Sequence, residues 1–172
     1  IYDRTTNQQV YQDRFQILEW PFQKKRIQEI AKYYNNALVT VDATGIGDPI
    51  CDDLIRSGVA VNPFKITNQS KKELIEKLSI WIEQGKMRFI RMAETLYEFD
   101  NFSYDISANG NIMYNAREGF HDDVVIAHAL AVWDLHELRP ERQQVMTPIR
   151  SEYLKAVKEY QYGLESEQIE FI

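Results

Sequence analysis

Apolar and polar residues follow two periods along this chain, and the places where the period changes mark its elements. Ile1 and Tyr2 read as the end of a strand, Asp3 to Gln8 as polar turn material, and Gln9 to Leu18 as a second strand with apolar positions at Val10, Phe15 and Ile17. This predicts a hairpin, though without an Asn-Gly turn. Pro21 suits the first turn of a helix, and Phe22, Ile27, Ile30, Ala31 and Tyr34 supply its stripe to about Asn35. Ala37-Leu-Val-Thr-Val-Asp42 is a nearly continuous apolar run ending in an acid, the pattern of a strand covered on both faces. The turn Thr44-Gly-Ile-Gly-Asp-Pro49 then opens a helix, with Asp48 as expected N-cap, Pro49 at the first helical position and Gly58 as the closing left-handed residue.

Val59 to Ile66 reads as a further strand. Ser70 to Gln84 is a helix with Leu74, Ile75, Leu78, Trp81 and Ile82 on one side, a Ser70–Glu73 capping box and a stop at Gly85. Met87 to Ile90 reads as a short strand and Ala93 to Phe102 as a short helix. Tyr104-Asp-Ile and Ile112-Met-Tyr114 flank Ala108-Asn-Gly-Asn111 as a hairpin. The last strong element runs from Asp122 to Leu138 and stops before Pro140. Its residues Val124 to Ala127 and Ala129 to Trp133 leave almost no polar face, so this helix is expected at the centre of the fold. Alternating strands and helices predict an α/β sandwich. Residues 1–138 form the domain, and 139–172 are a polar extension, partly helical near Ser151 to Tyr160.

Composition changes this picture little. A chain of 172 residues with 44% hydrophobic and 27% charged residues suits one domain with a real core. With 20 basic against 26 acidic residues, the net charge of −6 argues against a general attraction to nucleic acid or anionic membrane, and leaves a local basic groove open. Lys71, Lys72, Lys77, Lys86, Arg88 and Arg91, close in sequence, could line such a groove; they read equally as solvated charges on an amphipathic helix. Cys51 is the only cysteine, which excludes a disulfide framework and a cysteine-based zinc site. No apolar run reaches transmembrane length. The chain opens inside a strand rather than on Met, and reads as a fragment of a larger protein.

The candidate chemistry is carboxylate chemistry. Asp42 ends a core strand, where open α/β sheets place their ligand sites. Asp122 and Asp123 open the central helix. Acids brought together from a strand end and a helix start bind Mg²⁺ or Mn²⁺, which favour hard oxygen ligands, and two such ions roughly 3.5–4 Å apart cleave phosphodiesters. The same residues serve equally as a turn acid and as helix caps, and spacing does not decide between these. His121 and His128 lie about 10 Å apart along one helix, too far for a shared ion. His128 reads as a core histidine with a satisfied hydrogen bond, His121 as a capping or supporting group, and His136 as a surface residue. No phosphate loop of the Gly-x-x-x-x-Gly-Lys type and no Gly-x-Ser-x-Gly elbow occurs.

Three segments carry a resemblance: Val39-Thr-Val-Asp-Ala-Thr-Gly-Ile-Gly-Asp-Pro49, Ser70-Lys-Lys-Glu-Leu-Ile-Glu-Lys-Leu78 with Ile82-Glu-Gln-Gly-Lys86, and Gly119-Phe-His-Asp-Asp-Val-Val-Ile-Ala-His-Ala-Leu-Ala131. In order and separation they resemble the nuclease domain of tailed-phage large terminases, over about Ile1 to Leu138. The resemblance implies a ribonuclease H-like mixed sheet flanked by helices. It also implies a metal-dependent endonuclease that cuts concatemeric viral DNA during genome packaging in the cytoplasm of the bacterial host. Asp42 then matches the family's second acidic motif, and Asp122 and Asp123 match the third, as metal-binding catalytic residues for two Mg²⁺ or Mn²⁺ ions. The implied partners are double-stranded DNA, an upstream ATPase domain of the same polypeptide, and portal and small terminase proteins. The family's first aspartate belongs to a strand ahead of Ile1. Asp3 reads as the acid of the following turn and Asp13 falls in the next strand, so neither replaces it. Two other readings stay open: a junction resolvase or transposase-type nuclease of the same fold, and a non-catalytic docking module.

Overall fold

The computed structural model describes residues 1–45, 47–106, 112–117 and 119–137. The predicted turn Ala108–Asn111, the side chain of His136 and the extension 139–172 lie outside the described residues. Strands β1 (Tyr2–Asp3) and β2 (Gln8–Gln9) pair antiparallel around a turn in which Asp3 Oδ1 accepts the Thr5 N–H at 2.8 Å. The second strand is much shorter than its alternation predicted. Beyond Gln9, residues 10–19 have no regular structure; the Val10 N–H donates to the Ile1 carbonyl and the Ile1 amine to the Tyr11 carbonyl, and polar side chains hold the residues that follow. Asp13, for instance, is committed to Arg26 of the next helix.

That helix, α1 (Trp20–Tyr33), has Pro21 in its first turn and turns Ala31 into the core, while Phe22, expected on the inner stripe, is 60% exposed. Strand β3 (Val39–Asp42) leads through the glycine turn to α2 (Gly47–Arg56) and strand β4 (Val61–Phe64), which pairs with β3 in parallel, Asp42 opposite Phe64. Helix α2 begins at Gly47, so Asp48 lies inside the first turn, paired with Lys65 at 3.1 Å, instead of capping it. Gly58 ends this segment with φ +85°, as predicted.

Helix α3 (Asn68–Glu83) starts earlier than its stripe suggested. Thr67 is the N-cap and Ser70 stands at the third helical position, each side chain bonding the other's backbone N–H. The hydroxyl of Ser70 is enough to close this box, so Glu73 is not needed. Met87 to Ile90, predicted as a strand, joins the β2 region through one parallel bridge, Gln8 to Arg88. Helix α4 (Ala93–Asp100) and the antiparallel pair β5 (Phe102–Ile106) and β6 (Ile112–Ala116) follow, then α5 (Asp123–Glu137). Among the described residues the strands form three separate pairs, and the helices provide the continuity.

The core lies where α3 meets α5. Leu74, Ile75, Leu78 and Trp81 pack with Val125, Ala129, Leu130 and Val132, and Met87 and Phe89 close the far side. Each large buried aliphatic here contributes about 1.5–3 kcal/mol. The absence of a polar face on α5 is explained by this position, since neighbours cover nearly every side. Asp134 fixes it against the parallel pair: its carboxylate accepts from the Thr40 hydroxyl on β3 and from Asn62 Nδ2 on β4, the latter at 2.8 Å. Burial raises the Asp134 pKa, and the Asn62 hydrogen bond works against that shift. Among the described residues no helix is long and apolar enough to cross a membrane.

His128 on α5 is a core residue, but only half satisfied. Tyr2 Oη bonds its Nδ1, while Nε2 has no hydrogen-bond partner among the described residues and the ring lies against Phe89 and Phe99. Burial lowers its pKa from 6.5 to about 3. Between those values the unfolded chain binds a proton that the folded chain does not. Stability from this group is therefore complete above about pH 6.5 and lost as pH falls toward 3. Urea unfolding at several pH values should show this slope in the parent and a shallower one in His128→Phe; parallel slopes would contradict it.

Candidate active site

Strand β3 delivers Asp42 to the surface at its C-terminal end. Oδ1 of Asp42 accepts the Thr44 N–H at 2.9 Å, so the carboxylate also orders the turn that follows. The Thr44 hydroxyl in turn bonds both backbone groups of Ile66, donating to the carbonyl at 3.3 Å and accepting from the N–H at 3.0 Å. This stitches the exit of β3 to the exit of β4. Gly47 stands directly behind Asp42, where a Cβ would overlap the Asp42 carbonyl oxygen. The glycine is required by this close approach.

At the start of α5 the Asp122 carbonyl accepts the Ile126 N–H at 2.9 Å and opens the helix. Its side chain turns away: Oδ2 lies 2.8 Å from Lys71 Nζ, which also donates to Asn115 Oδ1 on β6 at 3.0 Å. The Asp123 side chain is 74% exposed, with Arg14 Nη2 and His121 Nδ1 each 4.0 Å from Oδ2. The side-chain cap comes from another element. Glu98 on α4, 2% exposed, accepts the Val124 N–H through Oε2 at 2.7 Å, and its Oε1 lies 2.9 Å from Arg14 Nη1. Sequence reasoning missed Glu98. In Ala93–Asp100 the apolar positions point to Leu96 and Phe99 as the inner face, whereas Thr95 and Glu98 are the buried residues.

Lys71 belongs to the first turn of α3, which enters from β4 through Ile66 and Thr67. Hydrogen bonds run from Asp42 to Thr44 and from Thr44 to Ile66, and the Ser70 hydroxyl donates to the carbonyl of the neighbouring Lys65, so the exits of β3 and β4 are tied to the turn that carries Lys71, the partner of Asp122. Even so, among the described residues no three His, Cys, Asp or Glu side chains are gathered closely enough to hold a metal ion. The oxygen donors have the right chemistry for a hard divalent cation, but in this arrangement they are not a complete ligand set. The histidines add nothing to it, since His128 is in the core and His121 is 69% exposed beside Asp123. The lysines that cluster in sequence are spread out: Lys71 holds Asp122, Lys72 pairs with Glu76 at 3.8 Å, and Lys77 lies over the Trp133 ring at 3.9 Å.

An α/β domain whose acids lie at a strand end and at the start of a buried helix has counterparts among the large terminases of phages. Residues 13–134 match the sequence model of the terminase RNase H-like domain, and the chain belongs to that family. It is 32% identical over 132 residues to the terminase large subunit of Thermus virus P23-45, a match covering 76% of this chain and 27% of that protein. The chain thus spans about a quarter of the length of that relative. The large terminase nuclease of the thermophilic phage G20c superposes with a TM-score of 0.72 in its cobalt-bound crystal structure, at 30% identity, covering 77% of this chain and 71% of that one. Its magnesium-bound structure gives a TM-score of 0.71 at 30% identity, with 77% and 70% covered. The fold is therefore ribonuclease H-like, as the sequence motifs implied.

The contact behind Asp42 can be tested directly. Gly47→Ala should destabilise the protein by about 1–3 kcal/mol, as overpacking against backbone does. It should also displace the Thr44 amide resonance, because the Asp42 turn must move. Unchanged stability together with an unmoved Thr44 amide would contradict the role given to Gly47.

Proposed function

We propose that this domain hydrolyses DNA phosphodiester bonds with two divalent metal ions, Mg²⁺ or Mn²⁺, at a site to which Asp42, Asp122 and Asp123 contribute. The observation that carries this reading is the cap supplied by Glu98. An aspartate at a helix start ordinarily answers the helix's own amides. With Val124 served by a buried glutamate, the side chains of Asp122 and Asp123 are left for other partners. Family membership and the cobalt- and magnesium-bound structures of a relative support the same chemistry.

Bound ions would supply an activated water and charge stabilisation at the leaving oxygen. The chain's own residues do the rest. Asp42 braces the turn at its base, and Asp123 offers an exposed carboxylate. Lys71 holds Asp122 in one orientation and partly neutralises it, which lowers the repulsion among three acids and an anionic substrate. In the full-length protein the domain would cut concatemeric viral DNA as part of a packaging motor in the host cytoplasm. It would work beside an ATPase domain of the same polypeptide and with portal and small terminase proteins.

Full-length protein incubated with supercoiled plasmid and Mn²⁺ should nick and linearise it, and chelation should stop the reaction. Asp42→Asn and Asp123→Asn should each slow cutting by about a hundredfold or more, the equivalent of several kcal/mol of lost transition-state stabilisation. Cutting by both variants at the parent rate would contradict the assignment.

A further inference from the structure

Buried acids normally need a reason. Glu98 is 2% exposed, and taking a carboxylate out of water costs several kcal/mol unless well-placed donors compensate. Two groups compensate here: the Val124 N–H on one oxygen and the Arg14 guanidinium on the other. The Arg14 contact, at 2.9 Å, is an ion pair without hydrogen-bond alignment, since Oε1 has no hydrogen-bond partner. The same helix face fixes the segment that carries Arg14. Thr95, fully buried, donates to Gln12 Oε1 at 3.0 Å; Gln9 Nε2 donates to the same oxygen at 2.8 Å; and Gln9 Oε1 accepts the Ile90 N–H at 2.8 Å. Beyond the backbone bonds made by Gln9, Val10 and Tyr11, residues 12–14 thus hold their course on a bracket of polar side chains from α4 and its surroundings.

The product of this arrangement is the placement of Arg14. One end of its guanidinium is on a buried carboxylate. The other end, Nη2, stands 4.0 Å from Asp123 Oδ2, and the side chain is 30% exposed. A gap of 4.0 Å beside a 74%-exposed acid is too loose a pair to stabilise the fold by much. An anchored guanidinium that is 30% exposed, beside an acid of the site, is matched to a phosphate oxygen.

We propose that Arg14 binds a phosphate of the DNA backbone next to Asp123, and that Glu98 is the positioning residue that aims it. The proposal rests on the nuclease reading above and deepens it, giving the site a cation of its own in a chain of net charge −6. Glu98 acts only through Arg14 and the start of α5 and does not touch substrate.

The test has a binding arm and a kinetic arm, both on the full-length protein. In the first, affinity for a short DNA duplex is measured without divalent metal across a salt series. Arg14→Ala should weaken binding by about tenfold and reduce the slope of log affinity against log salt by about 1, as the loss of one phosphate contact does. Lys25→Ala, which removes an equal charge from the exposed face of α1, should leave the slope unchanged. In the second arm, plasmid nicking by Arg14→Ala should show a raised KM, with Arg14→Lys restoring part of the loss. Glu98→Gln keeps an acceptor for Val124 but no charge for Arg14, and should raise KM in the same direction. Parent salt slope and parent KM in Arg14→Ala, with the parent enzyme cutting normally, would overturn the role of Arg14 and leave the nuclease reading intact. If the parent binds DNA but cuts nothing, the nuclease reading fails and the salt slope alone decides about Arg14.

Discussion

Val124, in the first turn of α5, is 7% exposed, and its N–H needs a partner from within the protein. Glu98 is that partner. Its bond to the Val124 N–H satisfies a donor that would otherwise be orphaned, and a buried unsatisfied amide costs about 1–3 kcal/mol. The same bond has a chemical consequence. It relieves Asp122 and Asp123 of capping, and it draws Arg14 to the place where one of them is exposed. One buried carboxylate thereby orders a helix and arranges the charges around its first turn.

The rest of the site inherits its position from two other fixed points. Asp134 ties α5 to both strands of the parallel pair, so the helix cannot slide along β3 and β4 without losing Thr40 and Asn62. Gly47 lets α2 begin in contact with the Asp42 carbonyl, which sets the depth of the strand-end acid. Between these points the edge is closed by Thr44 and Ile66 on one side and by Lys71 on the other. Repulsion among these acids is lowered locally, by Lys71 on Asp122 and by Arg14 beside Asp123.

What could be read from the residues follows from how each feature is encoded. Strand β3, helices α1 and α3 and the central position of α5 were legible because periodicity reports which faces are apolar, and burial follows from that. Asp42, Asp122 and Asp123 were legible as a group through the motifs around them; in the structure Asp42 ends β3 at the surface, and Asp122 and Asp123 stand at the start of α5. Local competition shifted the ends of elements: Thr67 took the cap expected of Ser70, and Asp48 fell inside α2. The strand expected over Gln9 to Leu18 is regular only to Gln9; Val10 and Tyr11 still bond the backbone of Ile1, the first residue of the sequence, and beyond them Gln12 and Arg14 are held by α4 and Asp13 by Arg26. Glu98 was not legible. No pattern of apolar positions signals a helix that buries Thr95 and Glu98 while leaving Tyr97 58% exposed.

The most direct measurement is anomalous diffraction from crystals of the full-length protein grown with Mn²⁺. Peaks at the β3–α5 edge, bound by the carboxylates of Asp42 and Asp123, are the predicted result. Mn²⁺ bound only elsewhere, with both carboxylates free of metal at saturating concentration, would contradict the account.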